Sequence, residues 1–301
     1  MRLLVVALLI ASTARAWAGG IAVDIGHSTV APGAISARGT PEHAFNRALA
    51  RDIASSLGRE GAPFHLIGER GETEHLMDRV HAARGADLLL SVHHDSVQEH
   101  YLETWMVEGI ERRFSDRYAG FSLFVSRKNP RLAQSLACAS AIGAELRRAG
   151  FQPSLYHAEP IRGESKPFAD RLNGVHYYDN LVVLRHARGA ALLFEAGVIV
   201  NRDEELELSS EPRRRRMADA VAAAVAGCLR SRSRSDLRKK RRPGPPLSFA
   251  ALAHALQVRL GIQGFALALG APDGFPQAFE HCVQRSVSIA GFRHNAFKRQ
   301  A

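Results

Sequence analysis

Short apolar segments alternate along this chain with longer segments whose apolar residues recur at helical spacing. Strands that alternate with helices favour an α/β fold, in which helices cover both faces of one sheet. We therefore expect a single twisted, mostly parallel or mixed sheet of about six strands. The pattern predicts strands over residues 21–26, 64–67, 87–93, 101–107, 181–184 and 190–194, helices over 40–61, 73–83, 130–149 and 203–229, and loops over 109–126 and 153–180.

Residues capable of catalysis or metal binding stand where these elements begin or end. His27 follows the first strand, His93 ends the third, and Glu195 ends the last. Glu42 lies in the first turn of the first helix, directly after Pro41. In open α/β sheets the functional site forms at the strand ends. These four polar residues are therefore expected to converge.

The residue types indicate a hydrolytic metal centre. Two imidazoles and one carboxylate can hold Zn²⁺ while leaving a coordination position open, which suits attack of water on an amide. Taken singly, His27 is also explained as an ordinary loop histidine. Glu42 is also explained by its position, because a helix N-terminus stabilises a negative charge. Glu195 is more informative, because a carboxylate that ends a buried apolar strand is costly to desolvate unless it is paired or used. His93 and His94 should face opposite sides of their strand.

The first 18 residues have the pattern of a cleaved secretory signal. Arg2 precedes the apolar run from Leu3 to Ile10, and Ala16 and Ala18 form a small-x-small cleavage site. The alternative is an N-terminal core strand or an uncleaved anchor. We expect export to the periplasm, and no other segment is long and apolar enough to predict a transmembrane helix.

Basic residues are concentrated towards the C-terminus of the 301-residue chain, whose formal net charge is +10. Eight Lys or Arg and one Asp lie between residues 230 and 242, and Pro-Gly-Pro-Pro follows at 243–246. We expect residues 19–230 to form the catalytic domain, and residues 231–301 a basic linker and a disordered tail. Alternatively, the tail contacts the anionic envelope by electrostatic attraction. Nucleic acid is not expected as a partner of an exported protein.

Three cysteines, Cys138, Cys228 and Cys282, lack the spacing of a disulfide framework or a metal cluster. Cys138 and Cys228 fall in helical segments, where we expect them to be small buried apolar residues. An odd number leaves at least one thiol unpaired in an oxidising compartment.

Five short motifs, in order, resemble those of the zinc-dependent N-acetylmuramoyl-L-alanine amidases of the bacterial cell wall, the amidase-3 type. They are Asp24-Ile25-Gly26-His27, Gly39 with Glu42 and Asn46, Ser91-Val92-His93, Leu181-Val182-Val183-Leu184-Arg185, and Glu195-Ala196-Gly197 with Asn201. The resemblance covers residues 21 to 229. Its departures are Ile25 in place of proline, Val198-Ile199 in place of a Phe-containing pair, and His94-Asp95 in place of a small residue and Asn.

The resemblance implies that His27, Glu42 and His93 bind Zn²⁺ and that Glu195 is the catalytic carboxylate. His94, Asp95 and Asn201 are predicted to contact the substrate or support the ligands, although a solvated loop is the simpler explanation for His94 and Asp95. Some family members have a helix that plugs the zinc site. The 109–126 segment lacks the amphipathic period of such a helix, and we expect a substrate-side loop there.

The substrate that the resemblance implies is peptidoglycan, cleaved at the amide between N-acetylmuramic acid and L-alanine of the stem peptide. The cellular role would be cell separation or wall turnover. Two alternatives stay open at this point. One is another zinc hydrolase of the cell envelope, such as a carboxypeptidase or deacetylase, and the other is a wall-binding protein that keeps the fold without catalysis.

Overall fold

The computed structural model describes residues 19–240, with side chains to residue 229. The predicted signal segment and residues 241–301 of the tail, including Cys282, lie outside the described residues. The helices and strands are β1 (Ile21–Ile25), α1 (Glu42–Arg59), β2 (Phe64–Ile67), α2 (Leu76–Ala82), β3 (Leu88–Asp95), β4 (Glu103–Val107), β5 (Ile110–Phe114), β6 (Ser122–Val125), α3 (Leu132–Arg148), β7 (Phe168–Asp170), β8 (Val175–Tyr177), α4 (Val182–His186), β9 (Ala190–Val198), α5 (Arg202–Ser209) and α6 (Glu211–Lys240).

Seven strands form one mixed sheet in the order β2-β1-β3-β9-β6-β8-β7. Strands β2, β1, β3 and β9 are mutually parallel, and β6 runs antiparallel to β9. The predicted α/β class, with a mixed sheet and helices on both faces, is confirmed, and the strand count is seven rather than about six. Strands β4 and β5 form a separate antiparallel hairpin. The predicted strand at 101–107 therefore exists but does not join the main sheet.

Alternating residues of the central strands build two apolar layers, one on each face of the sheet. On one face Val23 and Leu90 pack with residues of α1, α3 and α6. On the other, Leu89 and Leu193 pack with residues of α2 and α4. This period of two follows from the pleat, which points successive side chains to opposite faces. Helix α1 contributes the apolar stripe that its spacing predicted, at Phe45, Leu49, Ile53 and Leu57.

Three segments differ from the sequence prediction. The expected loop at 109–126 contains β5 and β6, and β6 is an internal strand of the main sheet. The expected loop at 153–180 contains β7 and β8, which extend the sheet beyond β6. The predicted strand at 181–184 is instead helix α4, whose Val183 and Leu184 cover the face formed by Phe124 and Leu193.

Cys138 and Cys228 lie in the apolar core as predicted, but the expectation that their spacing excludes a disulfide is wrong, because they form one between α3 and α6. Their Cα atoms lie 5.3 Å apart, within the usual range for a disulfide. The bond closes a loop across a sequence separation of 90 residues, for which the chain-entropy estimate is about 4.6 kcal/mol of stabilisation. Spacing in sequence gave no sign of the pairing because the two helices meet only after folding.

Helix α6 continues to Lys240, ten residues past the predicted domain boundary at 230, so the first part of the predicted linker is helical. Across residues 19–240, no helix combines the length and the apolar character required to cross a bilayer.

Candidate metal centre

The carboxyl ends of the parallel strands β1, β3 and β9 meet at one edge of the sheet. His27 follows β1 by two residues, and His93 in β3 is paired in register with Glu195 in β9. Glu42 is the first residue of α1, which begins after Pro41 without any side-chain cap. The topology thus brings together residues that are far apart in sequence.

Glu42 lies between the two histidines. Its Oε2 atom is 3.0 Å from Nε2 of His27, and its Oε1 atom is 3.1 Å from Nδ1 of His93. One ligand atom from each residue can be chosen so that all lie within 4.8 Å of one another. We call His27, Glu42 and His93 the ligand cluster. Burial alone would raise the pKa of Glu42, but hydrogen bonds and charge from His27 and His93 lower it below its ordinary value, so the carboxylate is ionised.

The backbone at His27 is held in an unusual conformation. Its φ of 65° lies in the left-handed region, which non-glycine residues seldom adopt. The guanidinium of Arg79 donates to the carbonyl oxygens of Ile25 and His27 and forms a buried ion pair of 2.6 Å with Asp24. Ser91 Oγ donates to the other Asp24 oxygen at 2.7 Å. This network fixes the turn and therefore the direction of the His27 ring.

Two glycines leave the space that the ligand cluster occupies. A Cβ atom on Gly26 would stand 2.4 Å from the His93 ring. A Cβ atom on Gly33 would stand 2.4 Å from Glu42 Oε2 and 2.8 Å from the His27 ring. Because no side chain fits at either position, the imidazoles and the carboxylate can approach one another.

Asn46 orients Glu42 from one turn further along α1. Its Nδ2 donates to Glu42 Oε1 at 3.0 Å and to the Gly26 carbonyl at 3.2 Å. Its Oδ1 accepts from His94 Nδ1 at 2.8 Å. Burial lowers the pKa of His94 to about 3, so this ring is neutral. His94 thus lies buried behind the ligand cluster, against Asn46 and the Phe45 ring.

The donor set fits a zinc ion. Two neutral imidazoles and one ionised carboxylate make up the protein ligands of hydrolytic zinc sites, where a fourth position stays available. The side chains of His27 and His93 are 32% and 18% exposed, whereas that of Glu42 is 6% exposed. The cluster is therefore reachable from solvent on the histidine side only.

Glu195 stands beside the ligand cluster without belonging to it. The residue is half-buried, and its Oε2 atom is buried and has no hydrogen-bond partner among the described residues. Burial first, then the charges of Asp95 and Glu42, raise the pKa of Glu195 well above its ordinary value. The raised pKa makes this carboxylate a stronger proton acceptor than an exposed glutamate.

Asp95 belongs to a second polar group, which the sequence did not predict. His157 Nε2 lies 2.7 Å from Asp95 Oδ2, and His157 Nδ1 lies 2.8 Å from Glu164 Oε2. Burial alone would lower the pKa of His157, but the charges and hydrogen bonds of Asp95 and Glu164 raise it to about 9. We call these three residues the bridge network. His157 and Glu164 lie in the segment predicted as a loop, where no local pattern marks them.

Asn201 stabilises the start of α5 and the neighbouring chain segment. Its side-chain oxygen accepts from the backbone N–H groups of Asp203 and Glu204 and so caps α5, and its Nδ2 donates to the Tyr118 carbonyl. These contacts account for an asparagine at this point of the motif.

Two clefts flank the residues described above, and Leu181 and Leu193 line both of them. The first, which we call the apolar cleft, has a volume of about 270 Å³ and contains His27 and His93. The second, the polar cleft, has a volume of about 200 Å³ and contains His157, Glu164 and Glu195. His27 and His93 thus line one cleft, and Glu195 lines the neighbouring one.

Comparison with protein families gives a match over residues 21–227 to the model of the N-acetylmuramoyl-L-alanine amidases named Amidase_3. No curated protein matches the chain in sequence.

Several solved structures have the same fold. The amidase Ami1 from Mycobacterium smegmatis is 18% identical, with a TM-score of 0.56 over 71% of this chain and 99% of its own. An N-acetylmuramoyl-L-alanine amidase from Clostridium difficile 630 is 19% identical, with a TM-score of 0.55 over 72% and 99%. The catalytic domain of CwlV from Bacillus (Paenibacillus) polymyxa var. colistinus is 23% identical, with a TM-score of 0.53 over 70% and 97%. At these identities the likeness concerns the fold.

Proposed function

The chain belongs to the N-acetylmuramoyl-L-alanine amidase family, and we propose that it is an exported, zinc-dependent hydrolase of peptidoglycan. The bond cleaved is the amide between N-acetylmuramic acid and L-alanine of the stem peptide, in cell separation or wall turnover. The observation that supports this most is the convergence of His27, Glu42 and His93 within 4.8 Å, with Glu195 as the register partner of His93.

His27, Glu42 and His93 would hold the zinc ion, which when bound supplies Lewis-acid polarisation of the scissile carbonyl and activation of a water molecule. Asn46 and Arg79 keep the three ligands in position, through Glu42 and through the His27 backbone respectively. Glu195 would accept a proton from the attacking water and deliver it to the departing amine of L-alanine. The unpartnered Oε2 atom of Glu195 is available for these transfers.

Export is supported by two features. The N-terminal segment has the pattern of a secretory signal, and the Cys138–Cys228 disulfide is of a kind that persists in oxidising compartments. We therefore place the enzyme in the periplasm, where its substrate lies. Contact of the basic tail with the anionic envelope stays a prediction from composition.

The direct test is Glu195→Gln, with Glu111→Gln on the exposed β5 strand as the control for the same chemical change. We expect the Glu195 variant to bind one equivalent of zinc and to lose turnover of purified peptidoglycan by about 10²- to 10⁴-fold, since removal of a general base typically has this effect. Near wild-type release of peptides by Glu195→Gln would refute the role of this carboxylate.

Mass spectrometry of the products identifies the reaction. Free N-acetylmuramic acid ends together with intact stem peptides would establish the amidase. Loss of a terminal amino acid would indicate a carboxypeptidase, release of acetate a deacetylase, and binding to peptidoglycan without products an inactive wall-binding protein.

A further inference from the structure

Three polar residues form a row across the three central strands of the sheet, β3, β9 and β6. His93 on β3 is paired in parallel register with Glu195 on β9, and Glu195 is paired in antiparallel register with Ser122 on β6. Residues directly opposite one another in an antiparallel pair share a face of the sheet, with Cβ atoms about 4.5 to 5.5 Å apart. Ser122 therefore adjoins Glu195 on the side away from His93.

The packing of the neighbouring pair agrees with this arrangement. Two residues away along the same strands, Leu193 is paired with Phe124, and both belong to the apolar layer on the face of α2 and α4. Because side chains alternate with a period of two, Glu195 and Ser122 lie on that same face. Each of them thus has an apolar neighbour on its own strand.

Both members of this pair have a buried polar atom without a partner. Ser122 is fully buried, and its Oγ atom makes no hydrogen bond to any of the described residues. The same holds for Oε2 of Glu195. Burial of an unpaired polar atom is unfavourable, so two such atoms at one register position call for an explanation. A hydroxyl can donate and a carboxylate oxygen can accept, so the two groups are complementary.

Several polar side chains around Glu195 either cannot donate or are engaged elsewhere. Asp95, whose charge acts on Glu195, is an acceptor. Gln98 and Lys166 line the polar cleft together with Glu195, but the amide of the first and the ammonium group of the second donate to Glu164. The serine hydroxyl of β6 keeps its donor free.

We propose that Ser122 is a positioning residue, whose hydroxyl donates to the Glu195 carboxylate and holds it in the orientation that accepts a proton from the attacking water. The sheet register fixes the two Cβ atoms, and rotation about the soft terminal torsion of the glutamate can bring an oxygen to the hydroxyl. This inference rests on the proposed function and adds to it a residue that lies outside the metal ligands.

The test compares Ser122→Thr with Ser122→Val, because these two side chains have nearly the same shape and differ in the hydroxyl. The substrate is a soluble N-acetylmuramoyl peptide, cleaved by the zinc-loaded full-length protein. In Ser122→Val kcat should fall by about 10- to 100-fold, since a hydrogen bond to a charged group contributes roughly that factor. KM should change little, because the hydroxyl acts on the chemical step. Ser122→Thr should keep most of the turnover, and chelator competition should show equal zinc affinity in both variants.

Stability separates this role from a structural one. Ser122 Oγ has no partner to lose, so Ser122→Ala should not lower the midpoint of urea unfolding, although kcat falls as in Ser122→Val. Ser56→Ala is the matched control. Ser56 is a buried serine near the far end of α1 from Glu42, and its Oγ donates to Asp219 Oδ1 at 2.7 Å. This control should lower the midpoint and keep kcat.

A double-mutant cycle distinguishes failure of this inference from failure of the proposed function. If Ser122 acts through Glu195, adding Ser122→Val to Glu195→Gln should not lower the residual turnover further. A further 10-fold loss there, or equal turnover in Ser122→Thr and Ser122→Val, would overturn the inference. If Glu195→Gln loses turnover and Ser122→Val does not, the proposed reaction stands without Ser122. If the wild type cleaves no substrate, the proposed function fails and the inference falls with it.

Discussion

The ligand cluster and the bridge network are mirror arrangements of the same residue types. In the ligand cluster one carboxylate, Glu42, lies between two imidazoles. In the bridge network one imidazole, His157, lies between two carboxylates. In the ligand cluster each residue offers one ligand atom, and these atoms lie within 4.8 Å of one another, as a shared cation requires. In the bridge network, both ring nitrogens donate, so the imidazole has no lone pair to offer a metal ion.

We expect this difference to give similar polar groups different roles at one sheet edge. The lowered pKa of Glu42 preserves a charge that a divalent ion can use. The pKa of about 9 at His157 preserves a cation that joins Asp95 to Glu164 and so fastens the wall of the polar cleft. Residue type alone does not define a metal site. Whether a polar group can bind a cation also depends on how many protons its side chains carry and on where their lone pairs point.

The largest effect that would test this comparison is expected for Glu42→Gln. The carboxamide of glutamine lacks the negative charge that would hold the cation. It also places an NH2 donor group where one of the two imidazoles now meets an acceptor oxygen. We expect zinc affinity to fall by more than about 100-fold, beyond the usual effect of changing an outer partner, and turnover to fall with it. Competition with a chromogenic chelator measures the affinity. His157→Gln should still bind stoichiometric zinc, and if the two variants lose zinc equally, the two groups do not differ as described.

A smaller effect is expected for Asn46→Ala, which removes two hydrogen bonds that position Glu42 and Gly26 while leaving every ligand present. Changes to residues that orient metal ligands typically lower affinity by about 10- to 100-fold. The same chelator competition applies, with Asn173→Ala as the control because Asn173 contacts Asp170 rather than the ligand cluster. Unaltered zinc affinity in Asn46→Ala would contradict the assigned role.

The smallest expected effect concerns pH and the bridge network. The folded-state pKa of His157, about 9, is above its ordinary value of 6.5, so its stabilisation is complete below pH 6.5 and is lost as pH rises through 9. We expect the free energy of unfolding of the wild type to fall by about 2 to 3 kcal/mol across this range. Urea unfolding at several pH values measures it.

His157→Gln should lack this alkaline decline, since glutamine does not titrate. His100→Gln, at an exposed histidine, should keep it. Parallel pH profiles for the wild type and His157→Gln would show that the imidazole is not held as a cation between its two carboxylates.

Several elements could be predicted because their signals are local. Strands β1, β3 and β9 are buried apolar runs, and α1 has four apolar residues at helical spacing. The residues at the ends of these elements followed from the same patterns, together with the motif resemblance. Asn46 was part of a quoted motif, but only its contacts with Glu42 and His94 indicate what it does.

Other elements have no local signal. Strands β6, β7 and β8 are only three or four residues long, too short for an alternating pattern to be distinguished from a loop. Helix α4 has a β-branched run typical of strands, yet its Val183 is buried against the sheet from a helical turn. In each case the stabilising partners come from distant segments, so composition did not determine the outcome.

The sequence by itself determined the α/β class, the order of the central elements and the residues placed where those elements begin or end, because apolar periodicity is a property of neighbouring residues. The tertiary structure alone decided that Cys138 meets Cys228, that β6 is central to the sheet, and that His157 joins Asp95 to Glu164. These contacts depend on which side chains, distant in sequence, become neighbours once the sheet has formed. Disulfides, hydrogen bonds and ion pairs act only between close neighbours, so the sequence pattern does not reveal them.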